Sequence, residues 1–131
     1  MRKSRSLATG FALCSTLSLT LSTCLSAGVF TRGDSNEDGK LDLSDAVRIF
    51  GFLFLGSPTS LNCEDAADAN DSGKVDISDG VAILNFLFSG GPAPRAPYPG
   101  CGRDPTADDV PCITFALCSQ VLKPPRPDSL P

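Results

Sequence analysis

The sequence contains no histidine and no tryptophan, and it has only one tyrosine and one methionine. Histidine is the usual general base in enzymes and a frequent zinc ligand, so its absence argues against acid–base catalysis and against a zinc centre. No serine or cysteine nucleophile has a histidine to activate it. We therefore expect no catalytic residues and no small-molecule substrate, and we predict that the protein is not an enzyme.

Charge is missing from most of the N-terminal segment. Met1–Arg5 is basic, whereas Leu7–Ala27 is uncharged and rich in leucine, serine and threonine. This order is typical of a secretory signal peptide, which we predict for residues 1–27. A transmembrane anchor is the alternative, because the stretch is about long enough to span a bilayer, although serine, threonine and glycine dilute it. Leu21–Cys24 also resembles a lipobox, in which Cys24 would carry a lipid and attach the protein to a membrane.

Basic residues are scarce in the remainder of the chain. Without the first 27 residues, 8 basic and 15 acidic residues leave a net charge of −7. A surface this acidic repels phosphate groups, so nucleic acid and anionic membranes are poor partners. We predict a secreted protein, located outside the cell or on the cell surface.

Four cysteines lie outside the predicted signal peptide, which itself contains Cys14 and Cys24. An even number of cysteines in a short exported chain predicts two disulfides, and four cysteines allow three connectivities. A zinc site is the competing interpretation, but the chain has no CxxC pair. The disulfide candidates are Cys63, Cys101, Cys112 and Cys118.

The chain contains an internal repeat with an offset of thirty-four residues. Between Asp34–Pro58 and Asp68–Pro92, fourteen of twenty-five aligned positions are identical, which indicates a duplicated supersecondary unit. Each copy begins with twelve residues that carry oxygen-bearing side chains at positions 1, 3, 5, 9 and 12 around a glycine at position 6. This is the ligand spacing of an EF-hand calcium loop, with aspartate in place of the usual glutamate at position 12.

The spacing predicts two Ca²⁺ sites, because Ca²⁺ prefers six to eight oxygen ligands and a glycine permits the loop to wrap around it. A single copy is often a solvated turn, but two full-length copies followed by apolar segments favour metal binding. The first loop has more carboxylate ligands, so we expect it to bind more tightly. The first site comprises Asp34, Asn36, Asp38, the Lys40 carbonyl, Asp42 and Asp45, and the second comprises Asp68, Asn70, Ser72, the Lys74 carbonyl, Asp76 and Asp79.

Each loop is predicted to run into one short helix. Ser44 and Ser78 are the N-cap candidates, and the helices are expected over residues 45–55 and 79–88, each followed by glycine and proline. The segments upstream of the loops are too short for an amphipathic entering helix. Leu41 and Val75, at loop position 8, are expected to face the core and to pair the loops as a small β-ladder.

A pair of calcium loop–helix units without entering helices resembles the dockerin module of secreted bacterial proteins, over residues 30–91. The resemblance implies a small all-α fold, in which two antiparallel loop–helix units are related by a pseudo-two-fold axis. It also implies a cohesin-like protein domain as partner. Contacts to that partner are implied at loop positions 10 and 11, which are Leu43, Ser44, Ile77 and Ser78.

The remaining sequence lies outside this resemblance. We predict a dockerin-like domain over residues 28–91, a disulfide-rich irregular extension over 92–118, and a disordered proline-rich tail over 119–131. The two helices carry more apolar residues than they can bury against each other, and surplus apolar surface marks an interaction face. The function predicted is non-catalytic, calcium-dependent docking. In the alternative, the extension covers this face, and the protein is a structural exported or surface protein stabilised by calcium and disulfides.

Overall fold

The computed structural model describes residues 28–120, so the predicted signal peptide and lipobox lie outside the described residues, as does nearly all of the predicted tail. The described part contains four α-helices, one π-helical turn and a two-stranded sheet. The elements in chain order are β1 (Val29–Phe30), α1 (Leu43–Phe50), the π-helical turn (Gly51–Leu55), α2 (Glu64–Ala67), α3 (Ile77–Ser89), β2 (Gly102–Arg103) and α4 (Ala116–Ser119).

Helix α1 begins two residues earlier than the sequence predicted. Its N-cap is Asp42, whose Oδ1 accepts a hydrogen bond from the Ser44 backbone N–H at 2.7 Å. The Asp45 carboxylate accepts from the Asp42 N–H at 2.9 Å, which completes a capping box. The prediction of Ser44 as N-cap was wrong because an aspartate two residues earlier already caps the helix.

Helix α3 has the same start. Asp76 is its N-cap, not Ser78, and Asp79 completes the capping box. Both helices also end alike, at a left-handed glycine that satisfies the last carbonyls: Gly56 has φ 60° and Gly90 has φ 70°. The predicted end of the first helix at Leu55 is therefore confirmed, although its last five residues form a π-helical turn, and the second helix ends one residue later than expected.

The main core lies between α1 and α3. Ala46 and Ile49 of α1 and Ile83 of α3 are fully buried, and Leu61, Ala67 and Ala69 complete this core. Gly80 allows the close approach, because a Cβ there would overlap the ring of Phe50.

Leu41 and Val75 pack against this core, as predicted, but the expected β-ladder between them is absent. Within residues 28–120 the pairings are antiparallel β1–β2, with Val29 opposite Arg103, and an isolated bridge between Cys63 and Cys112. Neither Leu41 nor Val75 lies in a strand, and the loops are held by hydrogen bonds from their own backbone to buried carboxylates.

A second core joins the C-terminal extension to the start of the described chain. It contains Phe30, Cys63, Ala66, Phe115 and Cys118. The extension is therefore not wholly irregular, since it supplies β2 and α4. Upstream of the second loop, Glu64–Ala67 forms only the single turn α2, and upstream of the first loop the chain is the strand β1.

The four candidate cysteines form two disulfides, Cys63–Cys112 and Cys101–Cys118. This pairing is one of the three that the sequence allowed, and it leaves none of the four thiols for the alternative zinc site. Disulfides persist in non-reducing compartments. Across the described chain, no helix combines the length and apolar character needed to cross a membrane.

Candidate metal centres

The first loop wraps around the carboxylate of Asp34, which is 1% exposed. Its Oδ1 accepts a hydrogen bond from the Asp38 N–H at 3.1 Å, and its Oδ2 accepts from the Gly39 N–H at 2.9 Å. The bend requires two residues in the left-handed region, Glu37 at φ 63° and Gly39 at φ 85°. The glycine at position 6 therefore permits the loop to wrap, as the spacing predicted.

The last ligand position of the first loop is also buried. Asp45 is 0% exposed, and its Oδ1 accepts a hydrogen bond from the Asn36 N–H at 3.2 Å. Because its Oδ2 accepts from Asp42, this carboxylate connects the middle of the loop to the helix start. Both ends of the loop thus direct a carboxylate inward.

The second loop repeats the two hydrogen bonds at its first position, and there the Lys74 N–H also donates to Asp68 Oδ2 at 3.1 Å. Asp68 is fully buried and accepts from the Ser72 N–H at 2.9 Å and the Gly73 N–H at 2.7 Å. Left-handed residues again occupy positions 4 and 6, with Asp71 at φ 59° and Gly73 at φ 82°.

The final aspartate of the second loop matches as well. Asp79 is fully buried and accepts from the Asn70 N–H at 3.2 Å and the Asp76 N–H at 2.8 Å. The duplicated sequence has therefore produced duplicated hydrogen bonding.

The buried carboxylates repel one another. Burial, with Asp34 and Asp38 nearby, raises the pKa of Asp45 to about 6. Burial, with Asp68 nearby, raises the pKa of Asp79 well above its ordinary value of 3.8. Within residues 28–120, neither Asp45 nor Asp79 forms an ion pair with a lysine or arginine. Burying charged groups without a counter-charge is costly, so these loops favour a cation or a proton.

The donor atoms of both loops suit a hard cation. All predicted ligands offer oxygen, the donor that Ca²⁺ prefers. In the second loop, Asn70 Oδ1 is buried and accepts no hydrogen bond from the described residues. This oxygen is therefore free to act as a metal ligand at loop position 3.

The predicted ligands differ in burial. Asp34, Asp45, Asp68 and Asp79 are buried, Asn36, Asn70 and Asp76 are half-buried, and Asp38, Lys40, Asp42, Ser72 and Lys74 are exposed. Asp42 and Asp76 also act as helix N-caps. Neither loop brings oxygens of three carboxylates within 4.8 Å of one another. Within residues 28–120, a group of three aspartates outside the loops does so.

The predicted partner residues divide into two kinds. Leu43 and Ile77 are 51% and 55% exposed. Ser44 and Ser78 are exposed too, but their hydroxyls donate to Asp42 and Asp76 and accept from the side-chain amides of Asn36 and Asn70 at 2.7 Å, so they belong to the loops.

The exposed apolar surface extends beyond the predicted partner residues Leu43 and Ile77. Val47 and Val81, at equivalent repeat positions, are 59% and 52% exposed, and so are Phe54 and Phe88 at 64% and 70%. We call the set Leu43, Val47, Phe54, Ile77, Val81 and Phe88 the helix face. The repeat alignment already contained this signal, because each pair has matching apolar residues.

Sequence reasoning missed a buried arginine. Arg32 is 0% exposed, and its guanidinium lies over the Phe30 ring at 5.3 Å from the centroid. Nη2 lies 3.1 Å from Asp71 Oδ1 and 2.9 Å from Asp104 Oδ1, and Nη1 donates to the Asp68 carbonyl at 2.8 Å. The arginine therefore joins the second loop to the extension.

Sequence reasoning also missed an acidic cluster that can hold a metal ion. Asp65, Asp104 and Asp108 each place one carboxylate oxygen within 4.8 Å of the others. These residues have no common spacing or motif, so no local pattern could have grouped them. They meet because the disulfide Cys63–Cys112 and Arg32 bring the extension against α2.

No family model, curated protein or solved structure matches this chain.

Proposed function

We propose that the protein is a secreted, non-catalytic docking module that binds two Ca²⁺ ions through its loops and then binds a cohesin-like protein domain. The proposal depends chiefly on one observation. Each of two sequence-related loops buries the carboxylates of its first and last positions, and no basic side chain in residues 28–120 pairs with the last one.

Calcium explains why this burial is tolerated. Two Ca²⁺ ions would offset the charge of the four buried loop carboxylates, which are Asp34, Asp45, Asp68 and Asp79. The core between α1 and α3 is small, and small cores contribute little net stability. Ion binding would therefore supply part of the folding free energy, as metals do in other minimal domains.

The repeated helix face supports docking. Its three residue pairs lie at equivalent positions of the two units, so the units offer two similar apolar surfaces related by the proposed pseudo-two-fold axis. Exposed apolar patches on small soluble proteins often mark interaction sites. Loop residues border both surfaces, which would make the orientation of the helices, and so the binding, depend on calcium.

Export is supported by two independent features. The uncharged segment from Leu7 to Ala27 follows a basic start, and two disulfides favour a non-reducing compartment. We accordingly propose that the protein works outside the cell or at its surface.

The docking proposal is tested with the oxidised, exported protein immobilised in calcium. A cohesin-like domain from the same source should be retained in calcium and released by a chelator. Replacing Val47 and Val81 together by aspartate should abolish retention without reducing calcium binding, because both surfaces lose their apolar centres. Ile113→Asp is the matched control, since Ile113 is 79% exposed and lies outside the helix face. Retention by the double variant equal to that of the Ile113→Asp control would refute docking through this face.

A structural role without a partner is the second candidate, and the position of the extension favours it. A Leu117 methyl lies 3.1 Å from the place a Cβ would take on Gly39, and Asp108 Cβ lies 3.6 Å from the corresponding place on Gly73. The extension thus packs against both loops. The extension nevertheless leaves all six residues of the helix face exposed. The pull-down therefore separates the candidates, because a structural protein without a partner should retain no cohesin-like domain in calcium.

A further inference from the structure

The acidic cluster lies in a cavity of about 460 Å³ between α2 and the extension. Asp65, Asp104 and Asp108 all line it, together with Thr106. The side chains of Asp65 and Asp104 are only 7% and 5% exposed, whereas Asp108 is exposed and leaves the cluster accessible from solvent.

Two buried oxygens in this cavity have no hydrogen-bond partner among the described residues. They are Asp65 Oδ1 and Asp104 Oδ2. The nearest positive group to Asp65 Oδ1 is Arg32 Nη1 at 3.7 Å, which is too long for a hydrogen bond. An unpartnered carboxylate oxygen in a cavity is a ready ligand, and its burial is costly while it stays unpartnered.

Arg32 cannot neutralise this region alone. Within residues 28–120 it is the one basic side chain that forms ion pairs here, and it already contacts Asp65, Asp71 and Asp104. Asp108 adds a fourth carboxylate to the same region. One positive charge therefore faces four negative ones, which leaves an excess that a divalent cation would reduce.

We infer that Asp65, Asp104 and Asp108 form a third cation site, separate from both loops, for a hard divalent ion of the Ca²⁺ type. The donors are oxygen only, which favours Ca²⁺ over zinc or copper. The cavity leaves room for water molecules to complete the coordination shell. An ion here fastens the extension to α2, the turn that immediately precedes the second loop.

A shared proton is the competing occupant. Burial, together with a contact to Asp104, raises the pKa of Asp65 to about 7, so a protonated Asp65 would also relieve the repulsion. The two occupants differ in their dependence on Asp108, because a proton shared by Asp65 and Asp104 does not require the third carboxylate. A cation does require it, since three carboxylates hold it.

The test counts calcium ions on the oxidised, exported protein by equilibrium dialysis against radioactive calcium. The range is about 1 μM to about 10 mM, which covers sensor-like and extracellular affinities. Asp108→Asn should bind one ion fewer than the wild-type protein. Asp109→Asn is the matched control, because Asp109 is an exposed neighbour outside the cluster, and it should bind the wild-type number.

Asp108→Asn changes no ligand of either loop and keeps the Cβ that packs against Gly73, so a lost ion reports on the third site. A deficit of one ion in Asp108→Asn, absent from Asp109→Asn, supports the site whether the wild-type protein binds three ions or only one. If the wild-type protein binds one ion and Asp108→Asn binds none, the third site stands and the loop proposal fails. Equal numbers in the wild-type protein and Asp108→Asn overturn the third site, as does an equal deficit in both variants.

Discussion

Arg32 Nη2 lies 2.9 Å from Asp104 Oδ1, which ties the segment before the first loop to the C-terminal extension. Both side chains are almost fully buried. The same guanidinium contacts Asp71 of the second loop and the carbonyls of Asp65 and Asp68. A single arginine thus connects three parts of the chain that are distant in sequence.

Removing this guanidinium should be strongly destabilising. Arg32→Met leaves several buried carboxylates without a counter-charge, and breaking a buried pair in this way costs about 3–5 kcal/mol. The free energy of unfolding, measured by urea denaturation in saturating calcium, should fall by that amount. Arg95→Met is the control, because Arg95 is exposed and forms no ion pair within residues 28–120, and its effect should stay within about 0.5 kcal/mol. A loss of stability similar to that of the control would contradict the role assigned to Arg32.

Replacing Asp79 by asparagine should cost more stability in calcium than without it. In a chelator, Asp79→Asn removes a buried charge that Asp68 repels, and this gain offsets the loss of one of the two backbone hydrogen bonds that the carboxylate accepts. In calcium the variant also lacks a charged ligand of the second loop, so its thermal midpoint should fall further below that of the wild-type protein. Differential scanning calorimetry in both buffers measures the two differences. Equal falls in both buffers would mean that Asp79 is structural and not a metal ligand.

The pH dependence of stability should also reverse with calcium. Burial raises the pKa of Asp45 to about 6 from 3.8, and it raises that of Asp79 as well. Without calcium the folded protein therefore holds protons that the unfolded chain has released. The stability from these groups is complete below about pH 4 and is lost as pH rises through 6.

In calcium the sign changes because the ligating carboxylates must be deprotonated. Thermal midpoints should then rise between about pH 4 and pH 6, where the calcium-free protein shows a fall. Hydrogen bonds from Lys74 and Ser78 lower the pKa of Asp76 to about 2, so Asp76 titrates below this window. Midpoints that move in the same direction in both buffers would contradict the assignment.

The glycine at position 6 of the second loop should not tolerate a side chain. Gly73 has φ 82°, and alanine in the left-handed region costs roughly 1–2 kcal/mol. The contact from Asp108 is an ordinary 3.6 Å, so strain of the backbone is the main cause. Gly73→Ala should lower both unfolding free energy and calcium affinity. Gly100→Ala, at a position with open space and no left-handed φ, should lower neither, and a Gly73→Ala variant with wild-type values would refute the account.

Local features of the fold could be predicted from the sequence, and long-range ones could not. Short-range patterns predict the helix after each loop. They also predict the glycines at which these helices end, Gly56 and Gly90. The helix starts were misplaced because serine and aspartate are both good caps, and only the geometry selects Asp42 over Ser44.

The other missed features depend on contacts between distant segments. The choice of Cys63–Cys112 among three connectivities, the burial of Arg32 and the meeting of Asp65 with Asp104 result from packing of the extension against α2. No sequence period encodes such contacts. The sequence therefore predicted the two loops and left the third acidic site to be found in the folded chain.

The most direct test of the central claim is titration calorimetry of calcium into the oxidised, exported protein, with circular dichroism on the same samples. We predict heat of binding at both loops, a deficit of one ion in each of Asp45→Asn and Asp79→Asn, and a weaker helical signal when a chelator removes calcium. An absence of binding heat, or a helical signal that the chelator leaves unchanged, would contradict the claim that calcium in these loops holds the fold together.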